Sequence, residues 1–143
     1  MDFSFRKATQ DDIDLLESIR IRSIENCSIY TREQLDLWQQ SLPDWPRLII
    51  NTIVCVNDVS ILGFAIADEQ ELDFLYVDPV AQGQGVANSL VAHVEQEGMK
   101  CDCNPYSEKV LKRRGWQFLE DNVKEKAGVR YHNKWYVFPR SQD

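Results

Sequence analysis

Phe3 and Phe5 alternate with Ser4 and Arg6 at the start of the chain, a period of two that predicts a short strand. Thr9 then stands as an N-cap, with Asp11 and Asp12 where a helix dipole favours acids. Ile13, Leu16, Ile19 and Ile24 follow at near-helical spacing and make one apolar face. A second helix comes next. Thr31-Arg32-Glu33-Gln34 is a capping box with Gln34 at the N3 position, Leu35, Trp38 and Leu42 are the expected buried stripe, and Pro43 and Pro46 end it. The pattern then changes to apolar runs. Leu48 to Val56 predicts a strand, Asn57-Asp58 a tight turn with positive φ, and Val59 to Ala67 the returning strand. After the polar step Asp68-Glu69-Gln70, Glu71 to Val77 predicts a third antiparallel strand.

Helical spacing returns with Val86, Leu90, Val91 and Val94, and Gly98 is the expected C-cap. Met99 to Cys103 predicts a short strand, parallel to its predecessor because a helix crosses between them. Pro105 opens a last helix that runs through Arg114. Trp116 to Leu119 and Val129 to Phe138 predict two final paired strands, with Gly128 in the turn.

Length and charge bound the rest. At 143 residues, without repeats or linkers, residues 1–143 read as one domain. A formal net charge of −7 argues against a nucleic-acid footprint, since phosphate binding needs clustered cations that the summed field does not oppose. The one basic cluster, Lys109, Lys112, Arg113 and Arg114, reads either as a solvated helix face or as a contact for an outer phosphate. Cys27, Cys55, Cys101 and Cys103 follow a start with no apolar leader, which leads to the expectation of a cytoplasmic protein with reduced thiols. The Cys101-x-Cys103 spacing and the distant His93 and His132 lead to the expectation of no metal. No apolar run approaches the roughly 20 residues that cross a bilayer, so no membrane partner is expected.

The most informative stretch is Leu75-Tyr76-Val77-Asp78-Pro79-Val80-Ala81-Gln82-Gly83-Gln84-Gly85-Val86-Ala87, a buried strand delivered into an amide-rich helix start. Pro79 ends the strand, and Gly83 and Gly85 let the main chain turn tightly so that several N–H groups point one way, at the positive end of a helix dipole. This suits a phosphate or pyrophosphate. A Walker A loop would need Gly-Lys-Ser/Thr where Gly85-Val86-Ala87 stands, and a dinucleotide fingerprint would need a third glycine where Asn88 stands. These residues resemble the Gcn5-related N-acetyltransferase (GNAT) family, whose signature Gln/Arg-x-x-Gly-x-Gly/Ala is filled by Gln82, Gly85 and Ala87. The predicted order β-α-α-β-β-β-α-β-α-β-β is also that family's, so the resemblance covers almost the whole chain.

The resemblance implies an α/β (α+β) fold with a GNAT-like mixed, mostly antiparallel central sheet and helices on both faces. It implies acetyl-CoA as cosubstrate, its pyrophosphate held by Gln82, Gly83, Gln84, Gly85, Val86 and Ala87 and its pantetheine arm by the strand at Leu75 and Val77. Asn104-Pro105-Tyr106-Ser107 through Gly115-Trp116 looks like the family's second block, which implies that Asn104 contacts the pantetheine arm. The Tyr of that block, the usual proton donor to the leaving thiolate, is here Leu111. Tyr106 is rotated by roughly 140° from Leu111 on the helix, whereas Ser107 lies one turn away on the same face, making Ser107 or a water it holds the candidate acid. A Leu111→Tyr change is expected to be tolerated if Leu111 borders the thiol.

Some members of the family place a base six residues before the strand's end, which implicates Glu71. Period-two geometry puts Glu71, Asp73, Leu75 and Val77 on one face. Asp73, His132 and Tyr30 remain alternatives, and Trp38, Trp45, Tyr30, Trp135 and Tyr136 could line an acceptor pocket. The implied reaction is transfer of an acetyl group to a primary amine of a small-molecule or peptide acceptor, with the oligomeric state open between monomer and homodimer. The competing readings are a coenzyme A-binding sensor that has lost turnover, motivated by Leu111, and a nucleotide-binding module resting on the glycine loop alone.

Overall fold

The computed structural model describes residues 2–141. Its strands are β1 (Ser4–Lys7), β2 (Thr52–Val56), β3 (Ile61–Ala67), β4 (Glu71–Val77), β5 (Lys100–Cys103), β6 (Gln117–Lys126) and β7 (Val129–Val137), in one sheet of order β1-β2-β3-β4-β5-β7-β6. The helices are α1 (Ile13–Glu25), α2 (Arg32–Gln40), α3 (Trp45–Leu48), α4 (Val86–Val94) and α5 (Pro105–Arg113). Neighbouring strands are antiparallel except β4 and β5, as the intervening α4 requires. That parallel pair is short. It holds only at Glu71↔Lys100 and Leu72↔Cys101, beyond which no ladder joins the two strands and the sheet parts.

Helices cover both faces. Val86, Leu90 and Val91 of α4 and Leu111 of α5 pack on Cys55, Leu62, Ala65, Leu72, Met99 and Cys101. On the opposite face, Leu16, Ile19 and Ile24 of α1 and Leu35 of α2 pack with Trp45 and Leu48 on Val54, Phe64, Ile66 and Tyr76. Each fully buried aliphatic side chain contributes about 1.5–3 kcal/mol of transfer free energy, so both layers stabilise the sheet. Gly63 lets α4 approach the sheet: a Cβ there would lie 2.7 Å from the Tyr76 carbonyl oxygen and 3.1 Å from Val86 Cγ1.

Local chemistry accounts for the caps and for several departures from the pattern. The capping box at Thr31 forms, Gln34 N–H donating to Thr31 Oγ1 at 3.1 Å and Thr31 N–H to Gln34 Oε1 at 2.8 Å. The α2 helix ends at Gln40, so Leu42 lies outside its stripe and is 74% exposed. The predicted strand from Leu48 begins instead as helix. Asp44 accepts at its carbonyl from Arg47 and Leu48 N–H at 3.0 and 2.9 Å, and Pro46 fits a first helical turn rather than stopping one. Only Thr52–Val56 is extended. Among the described residues Ala127 is the only non-glycine with positive φ, so the Asn57-Asp58 turn forms differently: Asn57 Oδ1 accepts from Val59 and Ser60 N–H at 2.9 and 2.8 Å. The returning strand therefore starts at Ile61 and leaves Val59 exposed. Gly98 does not cap α4, which ends at Val94; it turns the chain into β5 with φ +82°. β6 outruns its predicted end at Leu119 by pairing with β7 as far as Lys126. Among the described residues no helix is long and apolar enough to cross a membrane.

Candidate active site

The chain leaves β4 through Asp78, whose N–H still pairs with the Leu62 carbonyl at 2.8 Å and whose carboxylate is held by Arg22 at 2.6 Å. Pro79–Ala81 form one 3₁₀ turn, and Gly83 and Gly85 follow with φ +81° and +84°, a region L side chains rarely adopt. Gly85 is the N-cap of α4, its carbonyl accepting from Ser89 N–H at 3.0 Å. Among the described residues, none of the backbone N–H groups from Gly83 to Asn88 donates to a protein acceptor. The turn thus gathers unpaired donors at the positive end of a nine-residue helix. Gln82 is fixed at the edge of this turn, its Oε1 accepting from Asn26 Nδ2 at 3.1 Å.

Where β4 and β5 part, a cavity of about 530 Å³ opens. Its floor is Glu71 to Tyr76 of β4, with Cys101, Asp102, Asn104 and Ser107 across the gap; Tyr30 and Trp38 form one wall, and Lys124 to Lys126 with Tyr131 of the β6–β7 hairpin close over it. Glu71, Leu75, Asn104 and Ser107 therefore border one space. Val77 does not border it and packs instead with the α4 and α5 layer.

A register break explains that division. Ile66 pairs with Phe74 but Ala67 pairs with Leu72, so Asp73 is an extra residue in β4. The strict alternation expected from Glu71 to Val77 fails at this bulge. Leu72, Leu75 and Val77 all belong to the α4 and α5 layer, whereas Phe74 and Tyr76 belong to the α1 and α2 layer. Glu71 and Asp73 both reach the cavity; Leu75 borders it too while packing with the α4 and α5 layer, and Val77 packs with that layer alone.

The second block is placed as a helix start. Asn104 caps α5, its Oδ1 accepting from Tyr106 and Ser107 N–H at 2.9 and 3.0 Å, while Ser107 Oγ accepts from Asn104 N–H at 3.2 Å. The Asn104 side-chain N–H₂ donates to nothing among the described residues. Tyr106 points away from the cavity and accepts from Ile29 N–H at 3.2 Å. Leu111 does not border the cavity. It is 0% exposed within the core formed with Leu90, Met99 and Trp116, because Gly115 turns α5 back so that Trp116 N–H reaches the Leu111 carbonyl at 3.0 Å. Of the two placements open to this position, bordering a thiol site or packing in the core, the structure has the core.

The aromatic expectations divide. Tyr30, Trp38 and Trp135 line the cavity, whereas Trp45 packs on Phe64 in the core and Tyr136 donates to Glu108 at 2.6 Å. His132 sits exposed on β7 beside Asp121, away from the cavity. In the basic cluster, Arg114 holds Glu95 at 2.6 Å and Lys112 lies 3.7 Å from Glu108. Burial alone would raise the Glu95 carboxyl, but Arg114 and Trp116 donate to it and hold it below its usual range.

Electrostatics single out Glu71. Its carboxyl is pushed up to about 7, first by its hydrogen bond with Asp73, then by burial, then by the charges of Asp73, Asp68 and Asp102. Asp102 is itself held by Lys124 at 2.6 Å. Burial pushes the Cys101 thiol, also in the cavity, well above its ordinary range, so it is not a ready nucleophile. Sequence patterns missed Arg20, Asp102 and the part of β6 beyond Leu119 that reaches the cavity. Arg20 is 1% exposed and ties off α2, donating to the carbonyls of Trp38 and Ser41 at 2.7 and 2.9 Å and to Glu17 at 3.0 Å. Its spacing gave no signal, since it adjoins an apolar face that reads complete without it. The hairpin is clasped to α2 by Tyr131 Oη donating to the Gln34 carbonyl at 2.6 Å, Gln34 Nε2 to the Arg130 carbonyl at 2.8 Å, and Lys126 to Ser41 Oγ at 2.6 Å.

A family model described as an acetyltransferase (GNAT) domain matches residues 30–134. Among solved structures, the GCN5-related N-acetyltransferase from Rhodopseudomonas palustris superposes with a TM-score of 0.85 at 20% identity, over 98% of this chain and 99% of that one. YncA from Salmonella typhimurium, solved with its cofactor acetyl-CoA, gives 0.69 at 15% identity over 100% and 96% of the two chains. The PaiA N-acetyltransferase from Thermoplasma acidophilum, in complex with coenzyme A, gives 0.68 at 15% identity over 96% and 100%. No curated protein sequence matches significantly.

Proposed function

This chain belongs to the GNAT acetyltransferase family, and on that premise we propose that it transfers an acetyl group from acetyl-CoA to a primary amine by direct attack. The observation that carries the reading is the run of unpaired N–H donors from Gly83 to Asn88 beside the parting of β4 and β5. The donors suit a pyrophosphate, and the open edge of β4 suits the amide groups of a pantetheine arm. Coenzyme A complexes of similarly folded proteins support the same cosubstrate. The free side-chain N–H₂ of Asn104, across the gap, supports a contact with the arm.

The thioester would then lie over β4, where main-chain N–H groups polarise its carbonyl against the charge that develops on attack. The acceptor amine must arrive neutral. Glu71, titrating near 7, is the base that takes its proton, and it does so increasingly as pH rises through neutrality. Ser107 is the candidate donor to the departing sulfur, through its hydroxyl or a water it holds. A thiol of pKa about 8.5 leaves tolerably without one, and a general acid adds only about 10²- to 10⁴-fold. A cavity of about 530 Å³ falls within the range of small-molecule sites, so a small amine or the end of a peptide side chain suits it as acceptor.

The placement of Leu111 in the core favours one second reading, a coenzyme A-binding sensor without turnover. Calorimetric titration with acetyl-CoA tests the shared premise, and thiol release across a panel of primary amines separates the two. Binding with no thiol release for any amine would leave the sensor; no binding would sink both.

A further inference from the structure

Tyr76 carries a buried hydroxyl whose proton has no partner. The residue is 8% exposed, and its phenolic oxygen accepts from Trp38 Nε1 at 3.1 Å. Among the described residues its O–H donates to nothing. Trp38 and Arg20, whose charge also acts on this hydroxyl, line the same cavity as Tyr76, so the hydroxyl stands at the cavity wall. Burial outweighs that charge and pushes the phenol above its ordinary range, which keeps the proton in place. A second donor belongs to the same wall. Arg20 Nε is buried and finds no acceptor among the described residues, while its terminal nitrogens are spent on Glu17 and on the Trp38 and Ser41 carbonyls. A buried donor without a partner is costly, and here the open side is the cavity.

We propose that Tyr76 is a specificity-determining residue: its hydroxyl donates to an uncharged oxygen of the acceptor, so the preferred amine carries an amide carbonyl at some distance from its nitrogen. The inference rests on the acetyl-transfer reading above. An ammonium has only donors and would leave both the O–H and the Arg20 N–H unmet. A carboxylate would enter a cavity where Glu71, Asp73 and Glu125 form no ion pair among the described residues, while Lys124 is held by Asp102, Lys126 by Ser41 and Arg20 by Glu17. An amide carbonyl brings two lone pairs and no charge. Phe64 and Phe74 hold the Tyr76 ring, with centroids 5.5 and 6.1 Å away, so the hydroxyl is aimed before a substrate arrives. Glu71 and Tyr76 stand at opposite ends of β4, about 16 Å of extended strand and less across the bulge, which puts the oxygen several bonds from the amine.

The test compares ω-amino amides, from glycinamide to 6-aminohexanamide, with alkylamines of equal chain length, by thiol release at saturating acetyl-CoA. At the chain length with the largest wild-type preference for the amide, Tyr76→Phe should lower the kcat/KM ratio of amide to alkylamine by about 3- to 10-fold. The loss should appear in KM for the amide, because a bond remote from the reacting atoms is made equally in the ground and transition states. Trp38→Phe breaks the same Trp38–Tyr76 bond but leaves the hydroxyl, and should keep the ratio within about twofold of the wild type. Each ratio is taken within one protein, so a change in folded fraction cancels. A wild type that prefers no amide, a ratio that Tyr76→Phe leaves in place, or an equal fall in Trp38→Phe would overturn the assignment. Failure of the acetyl-transfer reading looks different: no amine of either series or of the wider panel would release thiol from the wild type.

Discussion

The two regions to which the proposal assigns cosubstrate and acceptor are made of different material. The half assigned to the cosubstrate is built from main chain: unpaired N–H groups from Gly83 to Asn88, two glycines with positive φ, and a strand edge that its neighbour leaves. The acceptor half is built from side chains: Glu71 and Asp73 on a bulge, Tyr30, Trp38 and Trp135 as walls, and a hairpin clasped over α2. A backbone site constrains few residue types, mainly glycines and a proline, and these leave a readable motif. A side-chain site draws on five or more separate segments and leaves none.

The difference predicts where damage should fall. Gly85→Asp should have the largest effect, because it places a carboxylate among donors arranged for an anion and strains a left-handed position. Losing two charge-assisted bonds at ~1.5 kcal/mol each corresponds to at least about 100-fold weaker acetyl-CoA binding by calorimetry. An ideal Cβ at Gly85 meets nothing within 4 Å, so folding should survive and the loss should be one of binding. Near-wild-type affinity would remove the cosubstrate half from its assigned place.

On the acceptor side, Glu71→Gln should leave acetyl-CoA affinity intact and lower turnover at pH 7 by about 100-fold, the lower end of what a general base supplies. The sign with pH is fixed by the raised carboxyl. Glu71 is competent as a base above about 7 and lost below it, so the defect should be largest near and just above neutrality and should shrink at high pH, where free amine is abundant. An unchanged pH–rate profile would take Glu71 out of the mechanism.

These halves also mark how far the sequence could be read. Periodicity found the order of the main strands and helices, because Leu16, Ile19, Leu90 and Val91 follow the helical period faithfully. It failed where a local bond overrode composition. Leu48 to Asn51 look like strand but are drawn into helical turns that the Asp44 carbonyl starts at Arg47 and Leu48 and the Trp45 carbonyl continues at Ile49, and the alternation through β4 breaks at Asp73 because a bulge carries no residue signature. The glycine motif led to a turn whose N–H groups are unpaired, and the second block to Asn104 and Ser107, which border the cavity. The placement of Leu111 stayed open because a motif aligned by spacing says nothing about which way a helix face turns; it packs in the core.

Leu111→Tyr sharpens that last point. A larger ring has no cavity to enter at a fully buried position among Leu90, Met99 and Trp116, so overpacking should cost about 1–3 kcal/mol. Thermal melts should show the loss, while the single-turnover rate at saturating acetyl-CoA should not rise. A variant as stable as the wild type and faster would return this position to the thiol site.

The smallest effect should come from the clasp that closes the acceptor half. Tyr131 donates to the Gln34 carbonyl at 2.6 Å, and the Gln34 side chain both caps α2 through its oxygen and holds the Arg130 carbonyl through its nitrogen. Tyr131→Phe removes one of these bonds and keeps the ring, so its net cost should be about 0.5–1.5 kcal/mol, carried by the hairpin rather than by the core. If the hairpin is the roof of the acceptor site alone, the change should appear as a few-fold rise in KM for the amine, with acetyl-CoA affinity and the position of the acid-side break unmoved. A matching loss of acetyl-CoA affinity would mean that the hairpin also reaches the cosubstrate, and the division between a backbone half and a side-chain half would then fail at Tyr131.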